Sequence, residues 1–179
     1  MLKQTKFVAA LLLVCAAAVE PALAQAHGGA PGPEQEFLAK RAGEYTRVIK
    51  FVGQPGTWNG SSKISVILGG RFLFEETHDT VFGRPVEGRR IYGYNNSTKE
   101  YEMITLYTMS TAITKLTGTS DDGGKSVDYA GASDEPQGKV PLHAQVRQID
   151  DDHFVVTLST AGPDGKNTPF QETAYTRKK

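Results

Sequence analysis

Charged residues interrupt otherwise apolar, strand-like stretches of this chain. Arg71 precedes Phe72-Leu73-Phe74, Arg89 and Arg90 precede Ile91-Tyr92, Glu75 and Glu76 stand between them, and Glu172, Tyr175 and Arg177 fall in the last extended stretch. Charged side chains are rarely buried unless paired. Such residues therefore occupy a solvated face, form an internal Arg–Glu pair, or meet the opposite charge of a ligand. On the last reading Arg71 or Arg90 would anchor a carboxylate or phosphate beneath an aromatic wall of Trp58, Tyr92, Tyr94 and Tyr107. His78-Asp79 has the composition of an oriented base, and His143 stands opposite an apolar set, facing either the interior or the outside. His78, His143 and His153 share no ligand-type spacing, so neither a metal ion nor another cofactor is expected. The G-x-S-x-G, H-E-x-x-H and C-x-x-C signatures are missing. Gly123-Gly124-Lys125-Ser126 lacks the first glycine of a phosphate loop, because position 119 is Thr, and it reads as a hairpin turn.

Ten extended stretches must position these groups. They are expected at 44–53, 60–68, 71–81, 86–94, 99–108, 111–119, 125–131, 139–149, 153–160 and 168–177. Turn clusters such as Gln54-Pro55-Gly56, Gly83-Arg84-Pro85, Asn95-Asn96-Ser97, Ser133-Asp134-Glu135-Pro136 and Pro163-Asp164-Gly165 cut them apart. Val140, Leu142, Ala144 and Val146 alternate with Pro141, His143, Gln145 and Arg147, the period of a half-buried strand. Tyr101 to Tyr107 is apolar on both faces and reads as a strand covered on both sides. Pro33 to Leu38 suits a short helix, with Pro33 in its first turn, Glu34 and Glu36 near its positive end, and Gly43 ending it. The economical topology is all-β: an antiparallel up-and-down β-barrel of about ten strands, closed upon itself, with the helix plugging one end. Such a barrel is filled by side chains or holds one small ligand.

The chain has 179 residues, with 20 basic and 20 acidic side chains interspersed. No basic stripe marks a nucleic-acid surface. Met1 to Lys6 is basic, an apolar run follows from Phe7 to Val19, and Ala22-Leu23-Ala24 and Ala24-Gln25-Ala26 fit a cleavage pattern. Residues 1–26 thus read as a signal peptide cut near Ala24 or Ala26, and 27–33 as a flexible leader. Residues 34–179 form the barrel of a periplasmic or secreted, monomeric protein with no membrane span. Cys15, the single cysteine, would be removed with the signal. A cut after Ala24 would expose Gln25-Ala26-His27, a nitrogen donor set of the type that takes Cu(II) or Ni(II).

Ile67-Leu68-Gly69-Gly70-Arg71-Phe72-Leu73, Gly83-Arg84-Pro85-Val86-Glu87-Gly88 and Gly93-Tyr94-Asn95-Asn96-Ser97-Thr98-Lys99-Glu100-Tyr101 follow one another in that order. They resemble the "LGGRFL", "G-x-P-F-E-G" and "GYDN-x-T-K-K-Y" motifs of the bacterial domain-of-unknown-function family fifteen-seventy-nine. Met109-Ser110-Thr111, Pro163-Asp164-Gly165-Lys166, Glu172 and Tyr175-Thr176-Arg177-Lys178 extend the resemblance over roughly residues 38–178. Tyr45 stands where that family often has Trp, and Asn95 where it usually has Asp. The resemblance implies a lipocalin-like barrel, often exported, with no assigned activity. The leading expectation is a non-enzymatic binder of a small hydrophobic or amphipathic molecule, with ligand contacts among Trp58, Arg71, His78, Arg90, Tyr92, Tyr107, His143 and Glu172. One alternative is a metal-free cavity enzyme using His78 or Glu172 as general base near Tyr92. The other is an envelope interaction module with a filled barrel.

Overall fold

The computed structural model describes residues 29–136, 138–162 and 165–179. The signal peptide, its cleavage sites, the Gln25-Ala26-His27 donor set and Pro163-Asp164 lie outside the described residues. A short helix α1 (Pro33–Ala39) precedes strands β1 (Gly43–Phe51), β2 (Trp58–Ile67), β3 (Phe72–Val81), β4 (Arg84–Asn95) and β5 (Glu100–Tyr107). Then come β6 (Thr114–Thr119), β7 (Ser126–Glu135), β8 (Gly138–Gln148), β9 (His153–Ala161) and β10 (Asn167–Arg177). Each strand pairs antiparallel with its neighbours in sequence, and β1 pairs with β10 from Tyr45↔Arg177 to Phe51↔Gln171, closing the barrel. Closure gives each strand among the described residues a paired neighbour on both sides.

Side chains alternate in and out along every strand. Tyr45, Leu73, Tyr92, Met103, Leu116, Tyr129, Val146, Phe154 and Tyr175 point inward and form one buried cluster. Two expectations require correction. Strand β5 is covered on one face only: Tyr101 and Met103 are buried, whereas Leu106 on the opposite face is exposed. A single closed sheet with its helix at one end leaves the outer face in water. Strand β7 also runs through the expected turn at Ser133-Asp134-Glu135, because these residues pair with Val140, Lys139 and Gly138 on β8.

The helix closes the end of the barrel that carries the β2–β3, β4–β5, β6–β7 and β8–β9 turns. Leu38 is buried there, and Gln35 Nε2 donates to Tyr94 O and Asn96 Oδ1. Buried Arg41 donates through Nε to Gln148 Oε1 and through Nη2 to Gly124 O, with its guanidinium near the Phe37 and Phe154 rings. Tyr45 is fully buried and donates to Arg41 O at 2.9 Å, so the tyrosine at this position serves both packing and polar pairing. Asn95 Oδ1 accepts from the Ser97 and Thr98 amides, the turn chemistry expected of an Asx residue.

Gly118 is where two strands approach too closely for any side chain. A Cβ there would lie 2.5 Å from Asp128 O and 3.0 Å from Tyr129 Cα, both backbone atoms of β7. We expect Gly118→Ala to cost about 1–3 kcal/mol, the usual range for overpacking, and to fall in its upper part because the backbone cannot move aside. Urea denaturation monitored by far-ultraviolet circular dichroism measures it, and an unchanged midpoint would contradict this packing.

Candidate functional site in the barrel interior

Among the described residues, β1, β3 and β4 point four buried charged side chains inward, where strand alternation allows no other direction: Arg47, Glu75, Asp79 and Arg90. Glu75 is buried completely. Glu75 Oε1 accepts from Ser62 Oγ at 2.8 Å and Tyr175 OH at 3.0 Å. Its Oε2 accepts from Tyr92 OH at 2.9 Å and Arg90 Nη1 at 3.2 Å. Arg90 Nη1 also donates to Tyr175 OH, and Arg90 Nη2 donates to Tyr107 OH. Burial opposes ionisation of Glu75, but Arg90, Arg47 and the hydrogen bonds from Ser62 and Tyr92 outweigh it and hold this carboxyl below its ordinary range. Burial pushes the Tyr92 and Tyr175 hydroxyls up, so both remain neutral donors.

The second pair, Arg47 Nη1 to Asp79 Oδ2 at 2.5 Å, is less well satisfied. Arg47 Nε and Asp79 Oδ1 have no hydrogen-bond partner among the described residues. Arg47 lies over the Tyr175 ring, 5.0 Å from its centroid. Burial raises the Asp79 carboxyl above its ordinary value despite Arg47 beside it. Glycines shape this region. A Cβ at Gly60 would lie 1.8 Å from Asp79 Oδ1, and one at Gly88 would lie 2.8 Å from Tyr107 Cε1. The bare backbone at Gly88 lets the Tyr107 ring lie across β4 and reach Arg90.

Above this network the barrel is hollow. A cavity of about 990 Å³ opens at the end opposite the helix. Arg47, Asp79, Arg90 and Tyr107 give one side of it polar character, while Met103, Leu116, Leu142, Val156 and Leu158 make the facing side apolar. Val52, Phe82, Met109, Ile113 and Phe170 are exposed on the loops and strand ends at this mouth. Phe82 stacks with Phe51 and meets the half-buried Trp58 ring at 4.5 Å.

Of the residues singled out in sequence, Arg90, Tyr92 and Tyr107 come together in the interior network. Trp58 stands at the mouth. His78 and Glu172 are exposed and His143 is half-buried on the outer face of the barrel, and Arg71 is exposed in the turn between β2 and β3. His78 and Asp79 are not an oriented pair, since consecutive residues on a strand face opposite ways. Neither His78 nor Glu172 can act as a base near Tyr92, and Arg71 cannot anchor an interior ligand. A hollow upper half likewise does not match the filled-barrel alternative. No group of three or more His, Cys, Asp or Glu side chains able to hold a metal occurs among the described residues. No helix among them is long and apolar enough to cross a membrane. Sequence reasoning missed Arg47, named Asp79 only as a partner of His78, and treated Glu75 only as a neighbour. The available signal was parity: Arg47 shares the alternating face of Tyr45, Ile49 and Phe51.

A family model described as a protein of unknown function, DUF1579, matches residues 30–177. The crystal structure of Rv2717c from M. tuberculosis has a TM-score of 0.60 at 15% identity, covering 83% of this chain and 99% of that one. A redesigned β-barrel gives a TM-score of 0.45 at 13% identity, covering 84% of this chain and 100% of that chain. The first likeness concerns the fold alone, and the second carries no argument. No curated protein matches the sequence.

Proposed function

This chain belongs to the DUF1579 family of proteins of unknown function, and within that family we propose that it is a non-enzymatic binder of a small apolar or amphipathic molecule. On this reading it is exported after cleavage near Ala24 or Ala26 and works as a monomer in the periplasm or beyond. One observation carries the binding reading: a cavity of about 990 Å³, open at one end and largely apolar inside. Ligand sites are of this kind, concave and apolar with few polar groups, at roughly 300–1,000 Å³. The exposed apolar residues around the mouth lower the cost of bringing a hydrocarbon chain to it. The buried charges support binding rather than turnover. Glu75 is saturated by four donors and sealed beneath Arg90, so it has no lone pair positioned for a substrate proton.

Calorimetric titration with 1-dodecanol tests this reading. Thr114 on β6 and Thr160 on β9 both line the cavity. Thr114→Phe with Thr160→Phe is expected to weaken dodecanol binding at least about tenfold, near 1.4 kcal/mol, by filling the space the chain occupies. Unchanged affinity in a folded double variant would move any ligand out of the barrel. Sequencing the N-terminus of protein recovered from its host tests export, and a chain that retains Met1 to Ala24 would overturn it.

A further inference from the structure

Strands β5 and β6 bring three hydroxyl groups to one wall of the cavity. Thr105 and Tyr107 lie two residues apart on the inward face of β5, and Thr114 on β6 is the register partner of Thr105. Side chains directly opposite on paired strands have Cβ atoms about 5 Å apart, and i, i+2 neighbours lie about 7 Å apart. The three groups therefore share a patch the size of an acyl head group. Neither threonine hydroxyl bonds to another group among the described residues. The Tyr107 oxygen accepts from Arg90 Nη2, so its own proton must be donated elsewhere, and no protein acceptor among the described residues takes it. A phenol that accepts from a guanidinium is polarised into a stronger donor. The wall thus offers donors to an incoming oxygen, with Tyr107 the strongest.

The charge balance says which oxygen. Arg90 is paired with Glu75 and Arg47 with Asp79, so among the described residues both buried cations that line the cavity are compensated, and buried Arg41 does not line it. A carboxylate entering there would lose its hydration without gaining a partner charge. Arg84, at the mouth, is exposed, and water screens its charge. We propose that the cavity is selective for an uncharged acyl compound of the fatty-ester class. The carbonyl oxygen accepts from Tyr107, with Thr105 and Thr114 beside it, and the hydrocarbon chain lies against Met103, Leu116 and Leu158. This inference rests on the ligand-binding reading above and sharpens it to a chemical class.

Competition binding with dodecane, methyl laurate and laurate at pH 8 separates the two. Methyl laurate is expected to bind about tenfold more tightly than dodecane, the worth of one or two net hydrogen bonds, and more tightly than laurate. Tyr107→Phe should bring the ester-to-alkane ratio close to one while leaving dodecane affinity unchanged, and Thr105→Val should lower the ratio in part. The ratio is an internal control for any loosening of the barrel. A ratio unaffected by Tyr107→Phe, or laurate binding tightest and lost in Arg84→Ala, would overturn the ester inference while dodecane binding keeps the cavity reading intact. If dodecane also fails to bind, both readings fall.

Discussion

Glu75→Gln is expected to lower the unfolding free energy by about 3–5 kcal/mol, the cost of leaving one charge of a buried pair without its partner. The glutamine keeps the shape but supplies one acceptor oxygen where the carboxylate serves Ser62, Tyr92, Tyr175 and Arg90. Its amide hydrogens would face donors. Arg90, a buried cation beside Tyr107 and Tyr175, would then lack its counter-charge. At about 2–4 °C per kcal/mol for a domain of this size, the melting temperature should fall by about 10 °C. Adding Arg90→Met should cost less than the sum of the two single changes, because the orphaned cation leaves with it. Additive losses would mean that the pair does not interact as described.

The same carboxylate sets the acid response. Its pKa is lower in the folded protein than the ordinary value near 4.3 for a free glutamate. Its contribution to stability is therefore fully present above that ordinary value. It is lost as the pH falls through the lower folded value. The gap in urea midpoint between the native protein and Glu75→Gln should be constant from pH 7 to about pH 5 and narrow below about pH 4. A gap that persists undiminished to the acid limit would contradict an ionised Glu75.

Gly60→Ala is expected to cost about 3 kcal/mol although only a methyl group is added, since it breaks the other buried pair. The new Cβ would fall 1.8 Å from Asp79 Oδ1 and 2.9 Å from the His78 carbonyl, so the carboxylate must swing away from Arg47. The displaced Asp79 and Arg47 are both almost entirely buried and have no solvent to turn to. In an Asp79→Ala background the same Gly60→Ala change should cost far less, because the colliding oxygen is gone. A double-mutant cycle by urea denaturation reads this coupling directly. Independent effects would show that Gly60 acts on the backbone alone.

The barrel was legible because every strand is short, alternating and bounded by Gly, Asn, Asp or Pro, and a meander needs only neighbouring hairpins. The interior was less legible because β3 is ambiguous by pattern. Phe72, Phe74 and His78 on one face compete with Leu73, Glu75 and Asp79 on the other, and hydrophobicity favours the wrong face. Burial of Glu75 and Asp79 depends on Arg90 and Arg47 arriving from β4 and β1, a pairing that strand register decides and local composition does not. Arg90, Tyr92 and Tyr107 were named as an arginine beneath an aromatic wall, and the register of β4 with β5 brings them to one inward face. His78, His143 and Glu172 were singled out by residue type alone, and alternation carries them to the outside.

Native mass spectrometry of the mature protein purified from the organism that makes it, under conditions that retain added 1-dodecanol, decides whether the barrel carries a ligand. A non-covalent adduct of an apolar, uncharged small molecule is expected, released on unfolding and missing from the Thr114→Phe, Thr160→Phe variant made in the same host. A bare polypeptide mass in the native protein, indistinguishable from that of the filled variant, would contradict it.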